Sequence, residues 1–107
     1  PDHEVSVELE GLLSSARDAR GERLEVVRVP APRTLEDEDG IVDWSYINHL
    51  VVNDGVVACT YDDPQDAASL AVLEKAYAGR QVVGVDARPL FARGGGIHCI
   101  TQQQPRV

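Results

Sequence analysis

Two apolar, β-branched runs, Tyr46–Val52 and Val56–Thr60, stand on either side of Asn53-Asp54-Gly55. No other feature constrains the fold as tightly, because Asp-Gly between alternating hydrophobic residues signals a β-hairpin with a tight primed turn. Asp62-Asp63-Pro64 then opens a helix, with an acidic N-cap and a proline at the first helical position, where its missing N–H costs nothing. On that helix the spacing gathers Ala67, Leu70, Ala71, Leu73 and Tyr77 on one face and turns Gln65, Asp66, Ser69 and Lys75 to water. Gly79 ends it. Gln81–Asp86 follows as a strand apolar enough to be buried on both sides. Residues 45–86 therefore read as a ββαβ unit of an α/β (α+β) fold.

Within the hairpin, period-two alternation sets Asn48 on the face of Tyr46 and Leu50, and His49 on the opposite one. An asparagine among apolar neighbours is either a hydrogen-bonded core group or the lining of a site. Cys59, mid-strand and without an activating neighbour, reads as inert core.

The flanks look like pieces of neighbouring units. Residues 5–20 have Leu9, Leu12, Leu13 and Ala16 at helical spacing, acids early, Arg17 and Arg20 late, and Gly21 as a stop. Leu24–Val29 reads as a strand closed by Pro30-Ala31-Pro32. Glu36-Asp37-Glu38-Asp39-Gly40, with Asp43 and Trp44 beyond it, lacks the ligand spacing of a calcium loop and reads as a solvated loop.

After Arg88–Arg93 comes Gly94-Gly95-Gly96-Ile97-His98-Cys99-Ile100-Thr101-Gln102-Gln103-Gln104-Pro105. Successive glycines permit positive φ and close backbone approach, at an entropic cost a plain loop need not bear. They deliver a cysteine beside a histidine. The string resembles the nucleophile motif of the agmatine deiminases, Gly-Gly-Asn-Ile-His-Cys-Ile-Thr-Gln-Gln, with Gly96 where that family usually has Asn. Leu24-Glu25-Val26-Val27, Ser45-Tyr46-Ile47-Asn48 and Val82-Val83-Gly84-Val85 are similar to that family's C-terminal region, in the same order. His49 and Cys59 depart from it, standing where the family tends to have Phe and Pro.

The resemblance implies a pentein fold, five ββαβ-type units around a pseudo-fivefold axis, of which residues 1–107 would be about the last unit and a half. It implies hydrolysis of agmatine, a small cationic guanidine substrate, to N-carbamoylputrescine and ammonia, with Cys99 as the nucleophile; the substrate-binding residues are otherwise unassigned, with Gly95 and Gly96 as candidate loop contacts. A guanidinium is resonance-stabilised, and a thiolate divides its hydrolysis into two easier steps through a covalent thiouronium. No metal or organic cofactor is implied. The acid/base histidine and guanidinium-binding acids belong to earlier units, which have no counterpart here, so the remainder of the pentein domain is the expected partner. Self-association into a homo-oligomer is compatible with this. His98 adjoins Cys99, and side chains so placed diverge, which makes it structural rather than a base. Asp86 could approach the site from its strand end. Two other readings stand beside this one: a deiminase acting on peptidyl-arginine or free arginine, and a truncated, non-catalytic pentein segment.

Composition narrows the alternatives. A net charge of −8 without a basic cluster argues against nucleic-acid and anionic-membrane partners. No apolar run reaches membrane-spanning length. Cys59, Cys99, His49 and His98 have no zinc-ligand spacing, and two cysteines make no disulfide framework, so a reducing cytoplasm is the expected compartment. The chain opens on Pro1 and contains no methionine, which is expected of part of a longer product.

Overall fold

The computed structural model describes residues 2–107. Its centre is a three-stranded sheet of order β3-β4-β5, from Leu50–Val51 (β3), Gly55–Thr60 (β4) and Gln81–Asp86 (β5). β3 runs antiparallel to β4, with Leu50 opposite Val57, and β4 runs parallel to β5, with Cys59 opposite Val85. The helix Asp66–Ala76 (α2) connects the parallel pair, as the crossover of a ββαβ unit must. The order of elements in this central unit is as the sequence predicts, but the helix begins at Asp66 with Gln65 at its N-cap, so Pro64 lies in the turn before it and not at its first position.

Its details differ in instructive ways. The hairpin closes at Val52 and Gly55, whose N–H and carbonyl groups pair at 2.9 and 3.5 Å. Asn53 and Asp54 keep negative φ, so the turn is not a primed one. Gly55 serves another purpose: a Cβ there would lie 3.1 Å from the Gln81 carbonyl of the neighbouring strand. The first strand is also shorter than expected, because Tyr46–Ile47 form a turn closed by the Asn48 N–H on the Ser45 carbonyl.

α2 is rotated relative to the expected face. Ser69 and Leu73 are buried and Ala67 and Ala71 exposed. Ser69 donates to the Pro30 carbonyl at 3.3 Å. Asp66 accepts from the Tyr46 hydroxyl at 2.7 Å and from the Tyr61 and Asp63 N–H groups. Buried polar groups with partners mimic a solvent face in sequence. Asp63 caps the turn before α2, accepting from Gln65 N, while its carboxylate also takes the Arg33 and Thr34 N–H groups and the Thr34 hydroxyl.

β5 is an edge strand among the described residues, and is not buried on both sides. One face meets α2, where a Cβ on Gly84 would lie 3.4 Å from Leu70 Cδ1 and 2.7 Å from Thr60 Cγ2 of β4. The opposite face leaves Val83 and Val85 48% and 43% exposed.

The flanking elements also depart from expectation. The first helix (α1) spans Asp2–Ser15, earlier than residues 5–20, and Gly21 sits with φ +79° in a turn beyond it. Leu9, Leu12 and Leu13 stay exposed. Leu24–Val29 joins no sheet among the described residues, since no strand lies beside it. The acidic loop forms a small ribbon instead, Glu36–Asp37 (β1) against Gly40–Ile41 (β2), turning at Gly40 with φ +124°. A short helix, Arg88–Phe91 (α3), precedes the glycines. No helix among the described residues is long and apolar enough to cross a membrane.

Val56 and Ala58 of β4 and Leu73 of α2 are buried, and a second buried group carries the site. Tyr46, Cys59, Tyr61, Ala87 and Ile97 are buried together, with Val29, Trp44, Leu50, Val57, Leu90 and Phe91 around them. Trp44 stacks on Tyr61 at 5.0 Å between ring centroids, and Phe91 meets Tyr61 edge-on at 5.5 Å. Ile97, two residues before Cys99, is thereby anchored in this core.

Candidate active site

A hollow of about 450 Å³ lies over that core, lined by Asp43, Ser45, Asn48, Phe91, Gly94, Gly95, His98 and Cys99 among others. Three segments form it. The Cys99 segment is a single 3-10 turn, His98–Ile100, which Thr101 locks by donating its N–H and hydroxyl to the His98 carbonyl at 3.0 and 2.7 Å. Ile97 pins the start of this turn from below, leaving the Cys99 thiol exposed.

The second segment, Ser45–Asn48, is held by β4 and the residue after it. The Tyr61 hydroxyl donates to the Ser45 carbonyl at 2.8 Å and accepts the Ser45 N–H at 3.1 Å. Burial raises the Tyr61 phenol far above its ordinary range, so it remains a neutral donor. Cys59, fully buried, donates its S–H to the Asn48 carbonyl at 2.9 Å. Cys59 is thus core, as expected, and it also steadies the backbone of a site residue.

Asn48 joins the two segments. Its Oδ1 accepts the His98 N–H at 2.8 Å, and its Nδ2 donates to Cys99 Sγ at 3.1 Å. A backbone N–H can only donate, so the amide's orientation is fixed and Nδ2 must face the sulfur. The Asn48 bond is the main influence holding the Cys99 thiol below its ordinary pKa, followed by the Gly96 backbone. A thiol so placed is biased toward thiolate, the nucleophilic form.

The glycines of the third segment have distinct reasons to be glycine. Gly94 has φ +101°, which L side chains rarely adopt. A Cβ on Gly95 would lie 2.9 Å from Cys99 Cβ. One on Gly96 would lie 2.6 Å from Asn48 Cγ and 2.7 Å from Phe91 Cε2. Gly95 lines the hollow, while Gly96 is buried beneath Asn48 and is not part of that lining.

His98 is exposed and lines the hollow, with no hydrogen bond from its ring to Cys99. Its backbone, rather than its imidazole, has the structural role. Asp86 lies outside the hollow. Arg88 binds its carboxylate at 2.8 Å and holds it below the usual carboxylate range. Sequence reasoning missed Asp43, Ser45 and Phe91 as lining residues. The aromatic core that brings them together brackets them at positions far apart in the chain. Among the described residues no group of His, Cys, Asp and Glu side chains is arranged to hold a metal ion.

The chain matches, over residues 1–105, the family described as Porphyromonas-type peptidyl-arginine deiminase. It is 55% identical over 106 residues to a provisionally named agmatine deiminase of Streptomyces avermitilis, covering 99% of this chain and 31% of that protein. An agmatine deiminase of Pseudomonas aeruginosa is 39% identical over 112 residues, covering 88% of this chain and 30% of its own length. The structure of Enterococcus faecalis agmatine deiminase superposes with a TM-score of 0.88 at 29% identity, covering 96% of this chain and 33% of that one. The chain thus spans about a third of the length of the relatives it matches. Its ββαβ architecture is that of a portion of the pentein deiminases, and the chain belongs to the Porphyromonas-type peptidyl-arginine deiminase family.

Proposed function

We propose that these residues are the nucleophile-bearing part of an agmatine deiminase, a C–N hydrolase acting on a linear amidine in the cytoplasm and feeding putrescine formation. The observation that carries this is the exposed Cys99 thiol, biased toward thiolate by Asn48 and opening into a hollow that also presents Asp43. In this reading the Cys99 thiolate attacks the guanidinium carbon, and one amino group takes up a proton and departs as ammonia. The resulting thiouronium is attacked by water. The C–S bond breaks, releasing N-carbamoylputrescine and restoring the thiolate. Protonating the leaving amine and activating water need an acid/base group. In this reading that role belongs to residues of the longer protein, as the resemblance implies, and not to His98.

The Cys motif and the names of the relatives favour agmatine. The family's description favours peptidyl-arginine as the second reading. A panel of agmatine, free arginine and an arginine-containing peptide, offered to the full-length protein, distinguishes them through the ureido product. Agmatine is expected to be the preferred substrate, with turnover abolished in Cys99→Ala. Unchanged turnover in that variant, or hydrolysis of none of the three, overturns the proposal.

A further inference from the structure

The Asn48 side chain has a chemistry that burial alone does not explain. It lies in a turn, and both ends of its amide go to one short segment: the His98 N–H and the Cys99 sulfur. A neutral thiol is a weak acceptor, whereas a thiolate is a strong one, so a donor aimed at Sγ selects the charged form. The Oδ1 bond to His98 keeps that donor from swinging away. Behind Asn48, the Cys59 S–H holds the same residue's carbonyl at 2.9 Å, and Tyr61 holds Ser45, three positions earlier. Gly96 completes the fit, because any side chain there would enter the space of the Asn48 amide.

We infer that Asn48 is the positioning residue of this site: its amide aims the Cys99 sulfur and stabilises it as the attacking anion, and Cys59 acts on the site through the Asn48 carbonyl. This rests on the reading of Cys99 as nucleophile. Two roles follow for one amide. Oδ1 fixes where the 3-10 turn sits, and Nδ2 sets the charge state of the sulfur. Substitutions can separate them. Asn48→Asp keeps the shape and the acceptor for His98 but sets a second anionic oxygen against Sγ. Asn48→Ala removes both contacts. Cys59→Ser keeps a donor to the carbonyl, and Cys59→Ala does not.

The test is the pH profile of Cys99 alkylation by a haloacetamidine in the full-length protein, followed by peptide mass spectrometry. In Asn48→Asp the midpoint is expected to move to higher pH and the rate at pH 7 to fall roughly tenfold. The high-pH plateau, where every thiol is ionised, should stay close to that of the unsubstituted protein. Asn48→Ala should shift the midpoint in the same direction and serves as the second variant if Asn48→Asp does not fold. Cys59→Ser should stay closer to the unsubstituted profile than Cys59→Ala. An unmoved midpoint, with only a lowered plateau, would mean that Asn48 merely supports the loop; this overturns the inference and leaves the deiminase reading standing. Failure of Cys99 to label in the unsubstituted protein overturns both.

Discussion

Asn48 Nδ2 and Cys99 Sγ meet at 3.1 Å across 51 positions of sequence, and the bond links the turn before β3 to the turn after the glycines. Neither segment is regular secondary structure of any length. Each is anchored to the aromatic core beneath it, through Tyr61 on one side and Ile97 on the other.

The two cysteines should differ sharply in reactivity. Cys99 is exposed with a lowered pKa, while Cys59 is fully buried with its S–H engaged. A substoichiometric haloacetamidine should therefore label Cys99 in the native protein, with Cys59 reacting only after unfolding. Adduct mapping that found Cys59 labelled first would remove Cys99 from its assigned role.

Gly96→Asn should impair this protein. The new Cβ would sit 2.6 Å from Asn48 Cγ, so Asn48 or Phe91 must move. Overpacking of this kind costs about 1–3 kcal/mol. Thermal unfolding should show the loss, and Cys99 alkylation at neutral pH should slow with it. A variant as stable and as reactive as its parent would show that the loop adapts freely.

Asp63 should give the fold an acid-sensitive step. Desolvation pushes its carboxyl up, but bonds from the Thr34 hydroxyl and the Gln65, Thr34 and Arg33 N–H groups outweigh it and bring the pKa down to about 2. A depressed folded-state pKa contributes stability that is complete above the unfolded value of roughly 4 and is lost as pH falls toward 2. Asp63→Ala should remove that dependence and, by leaving several N–H groups unpaired, destabilise by about 2–4 kcal/mol at pH 7. The check is denaturant unfolding at pH 7 and pH 3 in parent and variant. Equal pH sensitivity in the two would assign the acid step to another group.

Residues 1–107 expressed alone should be catalytically inert and prone to associate. Val83, Val85, Leu9, Leu12, Leu13 and Leu24 are all more than two-fifths exposed. Apolar area left in water forfeits roughly 25 cal/mol per Å² of stabilisation, against whole-domain stabilities of only about 5–15 kcal/mol. Sedimentation and calorimetry on this segment decide the matter. A monodisperse monomer with one sharp transition, or robust ureido product, would contradict the expectation.

The amino-acid sequence by itself determined the order of the ββαβ unit, because its signals are local: a polar break between two apolar runs, a helical pattern after Pro64, and runs of valine in β4 and β5. It also marked Cys99, through the resemblance of the Gly-Gly-Gly-Ile-His-Cys string to the deiminase motif. The tertiary structure decided which side of each element is inside. Ser69 looked solvent-facing and is buried, and Asp66 is half-buried, because Pro30, Tyr46 and Tyr61 supply their hydrogen bonds. Val83 and Val85 looked doubly buried and are exposed, because no further strand or layer lies against them among the described residues. Leu24–Val29 had the composition of a strand and forms none, since a strand exists only through its neighbour's hydrogen bonds. The candidate site follows the same rule. A sulfur's reactivity depends on which donor reaches it, and only folding brings Asn48 from 51 positions away to do so.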